Sequence, residues 1–251
     1  MLIDVHCHAN LYLDLSWLLK EAMDVGVEKI ICVGMSFLGL NRVLEISKQY
    51  GSIYASLGIH PEEVQMNNEI ESQLEAAKEF IKKNSNRICS IGEIGLDHYF
   101  VKDEGLYSLQ TKIFKEMLLL AENLRLPVNL HVKGAEKIVF DILPSYKIPN
   151  INIHWYSGPE EFLNQGIERG YYFSITPAIK YSPPVKKVAT KVENDHLLLE
   201  SDGPVKYSGD IGTPAMVKEV LYSISKIKST DLEVLEDQIF KNTKEIFPKI
   251  F

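Results

Sequence analysis

Met1-Leu2-Ile3-Asp4-Val5-His6-Cys7-His8 opens the chain. Its apolar start runs directly into alternating polar and apolar residues, which reads as one buried strand begun almost at the N-terminus. Residues two apart on a strand point to the same face. The pattern therefore sets Asp4, His6 and His8 on one side and Val5 and Cys7 on the other. Three metal-capable polar side chains on one face of a buried strand are costly unless something pairs with them. A divalent cation would do so, and imidazole is its commonest protein ligand. A lone core histidine is ordinarily satisfied by a neighbouring carbonyl; Asp-x-His-x-His is hard to place in that way.

Working outward, the chain alternates strand and helix. An amphipathic helix is expected over Leu15 to Val25, closed by Gly26, and a strand over Lys29 to Gly34. Helices follow over Leu38–Tyr50 and Glu69–Lys83, with strands over Ile53–His60 and Ile88–Gly95. The second half keeps the rhythm. Helices are expected over Tyr107–Leu124, Ala135–Leu143, Glu160–Glu168, Pro184–Lys191 and Pro214–Lys226. Strands are expected over Pro127–Val132, Ile151–Trp155, Tyr171–Ile175 and Leu197–Asp202. One more helix, Asp231–Phe240, ends the chain. Eight strands, each followed by a helix, over 251 residues have the size and order of an α/β (β/α)8 barrel of the TIM type with an added C-terminal helix. No linker or low-complexity tract interrupts it, so residues 1–251 are read as one domain. An open doubly wound sheet is the alternative, but no glycine-rich phosphate turn follows the first strand.

Composition narrows the function. Lys plus Arg is 27 and Asp plus Glu is 34, a formal net charge of −7. That balance argues against a broad basic surface for gripping duplex DNA and leaves room for a local cation-lined cleft. Cys7, Cys32 and Cys89 show no CxxC spacing and read as buried thiols in a reducing compartment. The first residues lack the basic start of a signal peptide, and no stretch has membrane-span length. A cytoplasmic protein is expected, monomeric or weakly oligomeric.

In a barrel of this kind chemistry sits at the C-terminal ends of the strands. Of the 7 histidines, all but His196 fall at or near such an end. Strand one ends in His6 and His8, and strand three in His60. Strand four carries Glu93 and is followed by Asp97. Strands five, six and eight end in His131, His154 and Asp202. Each has an ordinary turn or capping explanation taken singly, but together they converge on one rim. Closure puts strand eight beside strand one, so His6, His8 and Asp202 can hold one ion. Glu93, His131 and His154, from neighbouring strands, can hold a second, with Glu93 bridging. Two ions about 3.5–4 Å apart can activate a shared water and clamp the attacking and leaving oxygens of a hydrolysis.

The sequence resembles the TatD family of metal-dependent hydrolases, within the amidohydrolase-like barrels. The matching stretches are Asp4-Val5-His6-Cys7-His8, Gly58-Ile59-His60-Pro61 and Ile91-Gly92-Glu93-Ile94-Gly95-Leu96-Asp97. Further along they are Leu126-Pro127-Val128-Asn129-Leu130-His131, His154-Trp155-Tyr156-Ser157-Gly158 and Leu199-Glu200-Ser201-Asp202-Gly203-Pro204. The resemblance implies a barrel with two divalent ions and deoxyribonuclease activity, often from the 3′ end of single strands. It implies that His6, His8, Glu93 and Asp202 bind one ion, and Glu93, His131 and His154 the other. Asp202 would also steer or deprotonate the attacking water. Lys133 stands where the family commonly has Arg, Trp155 where it often has Cys, and Asp210-Ile211-Gly212-Thr213-Pro214 replaces a more polar stretch. These changes touch the place of the substrate and leave the ligands intact.

Two readings compete. In one, the protein is a two-metal phosphodiesterase trimming single-stranded DNA. Lys133 and His60 then steady a phosphate, and Tyr99, Phe100, Tyr156 or Trp155 stacks a base, with core packing favoured for Trp155 because it falls in strand six. In the other, the same centre cleaves an ester, amide, lactone or aminoacyl-tRNA bond. A non-catalytic metal-binding protein has little support, since every ligand is present. Zn2+, Mn2+ and Mg2+ all suit this mixed set. Asp97 and Glu200 are expected to orient the ligating histidines.

Overall fold

The computed structural model describes residues 1–251. The strands are β1 (Leu2–Cys7), β2 (Val27–Val33), β3 (Ile53–Leu57), β4 (Ile88–Asp97), β5 (Val128–Lys133), β6 (Ile151–His154), β7 (Tyr172–Ile175) and β8 (Leu197–Leu199). Each pairs in parallel with the next, so strand order in the sheet is sequence order. Asp202 N donates to His6 O at 2.9 Å and His8 N to Gly203 O at 2.8 Å, joining the last strand to the first. The result is the expected (β/α)8 architecture, a nearly closed TIM-type barrel.

The helices are α1 (Leu15–Asp24), α2 (Leu40–Gln49), α3 (Glu63–Met66), α4 (Ile70–Lys83), α5 (Tyr107–Leu124), α6 (Glu136–Ile142), α7 (Glu160–Glu168), α8 (Pro183–Lys191), α9 (Val217–Lys228) and α10 (Leu232–Ile246). Their sequences explain them. Asp14 caps α1 by accepting from Trp17 N at 2.9 Å. The charged helix α4 buries only the stripe Ile70, Leu74, Ala77 and Ile81, spaced to face the sheet. Strand residues are apolar on both faces because helices cover the outside of the barrel and side chains fill the inside.

The inside has a hydrophobic floor. Ile3 and Val5 pack with Ile31, Val33, Cys89, Tyr172 and Leu198. Side chains from five different strands can meet in this way only within the barrel. Ile246, Phe247 and Ile250 close the same cluster from below. The final helix therefore runs past its expected end at Phe240 to Ile246, because its last turn and the residues after it plug the barrel. Burying Phe247 completely contributes about 1.5–3 kcal/mol.

One expectation about β1 is corrected. Asp4 pairs with Ile30 and Cys7 with Cys32, so three steps on β1 oppose two on β2. This bulge breaks strict alternation. Val5 and His6, adjacent in sequence, both face the interior, whereas Asp4 does not share the face of His6 and His8. Asp4 instead accepts from Ser201 N at 3.0 Å and Ser201 Oγ at 2.5 Å, tying β1 to the end of β8. Burial raises its carboxyl from 3.8 to about 7.

Other differences lie at the ends of elements. The expected third strand stops at Leu57 and the eighth at Leu199, short of His60 and Asp202. The functional residues there stand on the loops just beyond the ladder. The two strands β9 (Lys206–Tyr207) and β10 (Asp210–Ile211) form a small hairpin after β8 that the apolar pattern did not signal. Its turn uses Ser208 and Gly209, both with positive φ.

Candidate active site

The strand ends bring together all six residues expected to hold metal, and add a seventh. Glu93, rising from β4, stands at the centre. Its Oε2 lies 3.3 Å from His6 Nε2 and 3.5 Å from His8 Nε2. Its Oε1 lies 2.9 Å from His131 Nδ1, 2.8 Å from His154 Nε2 and 3.3 Å from His60 Nε2. Asp202 Oδ1 faces the first group, 3.6 Å from His6 Nε2 and 3.3 Å from His8 Nε2. His60 therefore belongs to the ligand cluster as well as to the cleft where a phosphate contact was expected. Gly95 permits the close approach of β4 to β5 on which this depends: a Cβ there would stand 1.8 Å from His131 O.

The donors fit a metal. His6 Nε2, Glu93 Oε2 and Asp202 Oδ1 are buried polar atoms without a hydrogen-bond partner, and they face one another. Buried polar atoms are rarely left unpaired. Oxygen and nitrogen ligands at about 2.1 Å from one tetrahedral ion stand about 3.4 Å apart, which is the spacing found. His6, His8 and Glu93 form one potential ligand set, and His60, Glu93 and His131 another. His154 also meets His6 and Asp202 in a third grouping between them.

The electrostatics agree. Burial works against charge on Glu93, but His60, His154 and His6 outweigh it and hold its carboxyl well below the usual range. Burial likewise opposes protonation of His154, yet Glu93 and Glu200 hold it well above the ordinary histidine value. His131 is raised against burial by Asp97 and Glu93, whereas His60 is lowered by burial. Buried carboxylates thus hold positive charge on His154 and His131. A cation supplies that charge without protonating the nitrogens.

His8, His131 and His6 are oriented from behind. His8 Nδ1 donates to Val33 O at 2.9 Å, which leaves Nε2 for the centre. Asp97 Oδ2 takes the outer nitrogen of His131 at 2.7 Å, so His131 presents Nδ1. His6 Nδ1 donates to Asn129 Oδ1 at 3.1 Å. From Asn129 a chain runs beneath the ligands. Asn152 Nδ2 donates to Asn129 Oδ1 at 3.0 Å and to Ser174 Oγ at 2.9 Å. Ser174 Oγ donates to Glu200 Oε2 at 2.5 Å. Glu200 Oε1 accepts from Trp155 N at 2.8 Å and lies 3.6 Å from His154 Nδ1. Asp97 thus bonds His131 directly, whereas Glu200 stands beside His154 without a hydrogen bond to it. Asn129, Asn152 and Ser174 were not anticipated. For the two asparagines the signal is period two: Asn129 precedes His131 on β5 and Asn152 precedes His154 on β6 by two residues, one layer deeper on the same inward face.

Above the centre opens a cleft of about 980 Å³. Tyr99, 60% exposed, and Phe100, 57% exposed, stand on its wall with ring centroids 4.8 Å apart. Lys133 Nζ donates to Trp155 O and Ser157 Oγ, both at 2.8 Å. One expectation is corrected here. Tyr156 is buried against Phe173 with its hydroxyl on Pro159 O, so it cannot stack a base. Trp155 lies just past β6, half-buried: it packs against the core as expected and also lines the cleft. Its φ of 38°, rare for a bulky residue, turns the chain outward there. The bonds to Glu200 and Lys133 hold that conformation.

Residues 3–248 match the family described as TatD related DNase. An uncharacterized metal-dependent hydrolase of Methanocaldococcus jannaschii is 34% identical, covering 98% of this chain and 97% of that protein. Deoxyribonuclease TATDN3 of Homo sapiens is 25% identical, over 99% of this chain and 95% of its own. The crystal structure of YjjV, a TatD homologue from Escherichia coli, superposes with a TM-score of 0.89 at 25% identity, covering 98% of each chain. No helix is long and apolar enough to cross a membrane. With the family matched along almost its whole length and the ligand cluster assembled at the mouth of its barrel, the chain belongs to the TatD related DNase family of metal-dependent hydrolases.

Proposed function

We propose that the protein is a two-metal phosphodiesterase that trims single-stranded DNA from its 3′ end. The observation that carries this reading is the division of Glu93, one carboxylate oxygen facing His6 and His8 and the other facing His131, His154 and His60. A residue so placed can bridge two ions. Two divalent cations held there supply Lewis acidity toward a phosphoryl oxygen and lower the pKa of water.

The chain's own groups do the rest. Asp202 Oδ1 has no hydrogen-bond partner and faces the centre, which suits it to orient the attacking water and take its proton. Burial pushes its carboxyl upward, but His8, His154 and His6 outweigh it and keep it ionised. An ammonium carries three donors, and Lys133 commits two of them, so one N–H is left for a phosphate oxygen. Tyr99 and Phe100 offer faces on which a base can stack. The relatives named as deoxyribonucleases support a nucleic-acid substrate. The test is purified protein with 3′-labelled single-stranded DNA and Mn2+ or Mg2+. Stepwise shortening that is lost in Asp202→Asn supports the reading. Cleavage confined to a panel of esters and amides would replace it with the amidohydrolase-type alternative.

A further inference from the structure

The wall of the cleft carries a property that the ligand cluster does not explain. Among the residues lining it, Lys133 is the one lysine or arginine, and Glu62 and Glu136 add negative charge. Lys102, on a loop, and Lys206, on β9, do not line it, and the ammonium of Lys102 sits 4.7 Å from the centre of the Tyr99 ring. Lys180 is bonded to Glu219, and Lys187 and Lys191 to Glu160. The outer rim is instead apolar: Leu11, Tyr99, Phe100, Tyr181 and Val205 are all exposed there. The volume, about 980 Å³, lies at the upper end of the range for small-ligand sites.

Proteins that hold long single strands line a groove with cations that track the backbone. This cleft offers one such contact and then an apolar, partly acidic edge. We infer that each encounter engages a single phosphate and the nucleotide on either side of it, so that trimming is distributive and indifferent to strand length beyond a dinucleotide. The inference rests on the phosphodiesterase reading. It adds that the substrate is defined by its terminal step: a base against Tyr99 and Phe100, one phosphate between Lys133 and the ligand cluster, and the remaining strand in solvent.

Salt dependence reads the number of phosphates engaged. For single strands the logarithm of affinity falls with the logarithm of salt with a slope of about −0.7 per phosphate. From 50 to 200 mM salt, one phosphate costs about 2.6-fold in kcat/KM, and three cost about 18-fold. The experiment measures kcat/KM for oligonucleotides of two, four and twelve nucleotides at both salt concentrations with free Mn2+ fixed. A chase of excess unlabelled strand counts the nucleotides removed per encounter. The expected result is a twelve-mer within about threefold of the dinucleotide, a loss near 2.6-fold with salt, and one nucleotide removed before release. Tyr181→Lys, which adds a cation to the rim, should steepen the twelve-mer's salt loss to about sevenfold and leave the dinucleotide unchanged. A tenfold or greater preference for the twelve-mer, a salt loss near 18-fold, or several nucleotides removed per encounter would overturn the inference while leaving the phosphodiesterase reading intact. Failure to cleave at any length would overturn that reading, and this inference with it.

Discussion

Metal binding to the cluster should appear as folding stability, and its size should count the ions. The ligands run from His6 to Asp202, so the unfolded chain offers no assembled set. An ion that binds only the folded state adds RT ln(1 + [M]/Kd), about 1.4 kcal/mol for each tenfold of free metal above Kd. The two groups facing the two oxygens of Glu93 predict two ions, hence about 2.8 kcal/mol per decade. The assay is urea unfolding at buffered free Mn2+ or Zn2+ over two decades above saturation. His131→Ala removes a donor from the group facing Glu93 Oε1 and leaves His6, His8 and Asp202, so its slope should fall to about 1.4. Glu93→Ala touches both groups and should fall further. A flat response in the wild type would refute a metal centre. A wild-type slope of about 1.4 that His131→Ala does not change would refute the division of Glu93 between two ions.

Asn152→Leu cuts the chain between Asn129 and Ser174 behind His6 and His154, and should weaken metal affinity about 10–100-fold in a competition titration; unchanged affinity would show that the chain orients nothing. Tyr99→Ala should raise KM about fivefold or more with kcat nearly unchanged, as loss of base stacking worth about 1–3 kcal/mol requires. Phe247→Ala opens a cavity in the barrel floor and should cost about 3–5 kcal/mol in urea unfolding; a loss below 1 kcal/mol would mean the plug is not part of the core. Lys187 and Lys191 hold the exposed Glu160 carboxyl down to about 2 from 4.5. Because the folded value is the lower one, this contribution is present above about pH 4.5 and is lost as pH falls toward 2. The small difference in urea midpoint between wild type and Glu160→Gln should therefore be greatest near neutrality and shrink below pH 4.5.

Much of this is legible in the sequence. The alternation of apolar strands with amphipathic helices gave the barrel, since both periods are local properties of the backbone. The polar residues at strand ends gave the cluster that could hold metal, because a buried His or Asp at such a place needs a partner. The interior polar layer was harder to see. Asn129, Asn152 and Ser174 look like ordinary strand residues one at a time, and only the closed sheet shows that they bond to one another. Tyr156 and Trp155 are hard to tell apart for a related reason. They are adjacent in sequence, and the turn at Trp155, not hydrophobicity, decides which of them meets solvent.

The sequence by itself determined the architecture, the ligand types and the end of the barrel where they gather, because these follow from periodicity and the cost of burying polar groups. The tertiary structure alone decided which oxygen of Glu93 faces which histidines, that a bulge in β1 turns Asp4 away from the centre, and that His60 joins it. Those outcomes depend on register and closure between strands far apart in the chain, and a shift of one residue in either would turn a ligand to the opposite face.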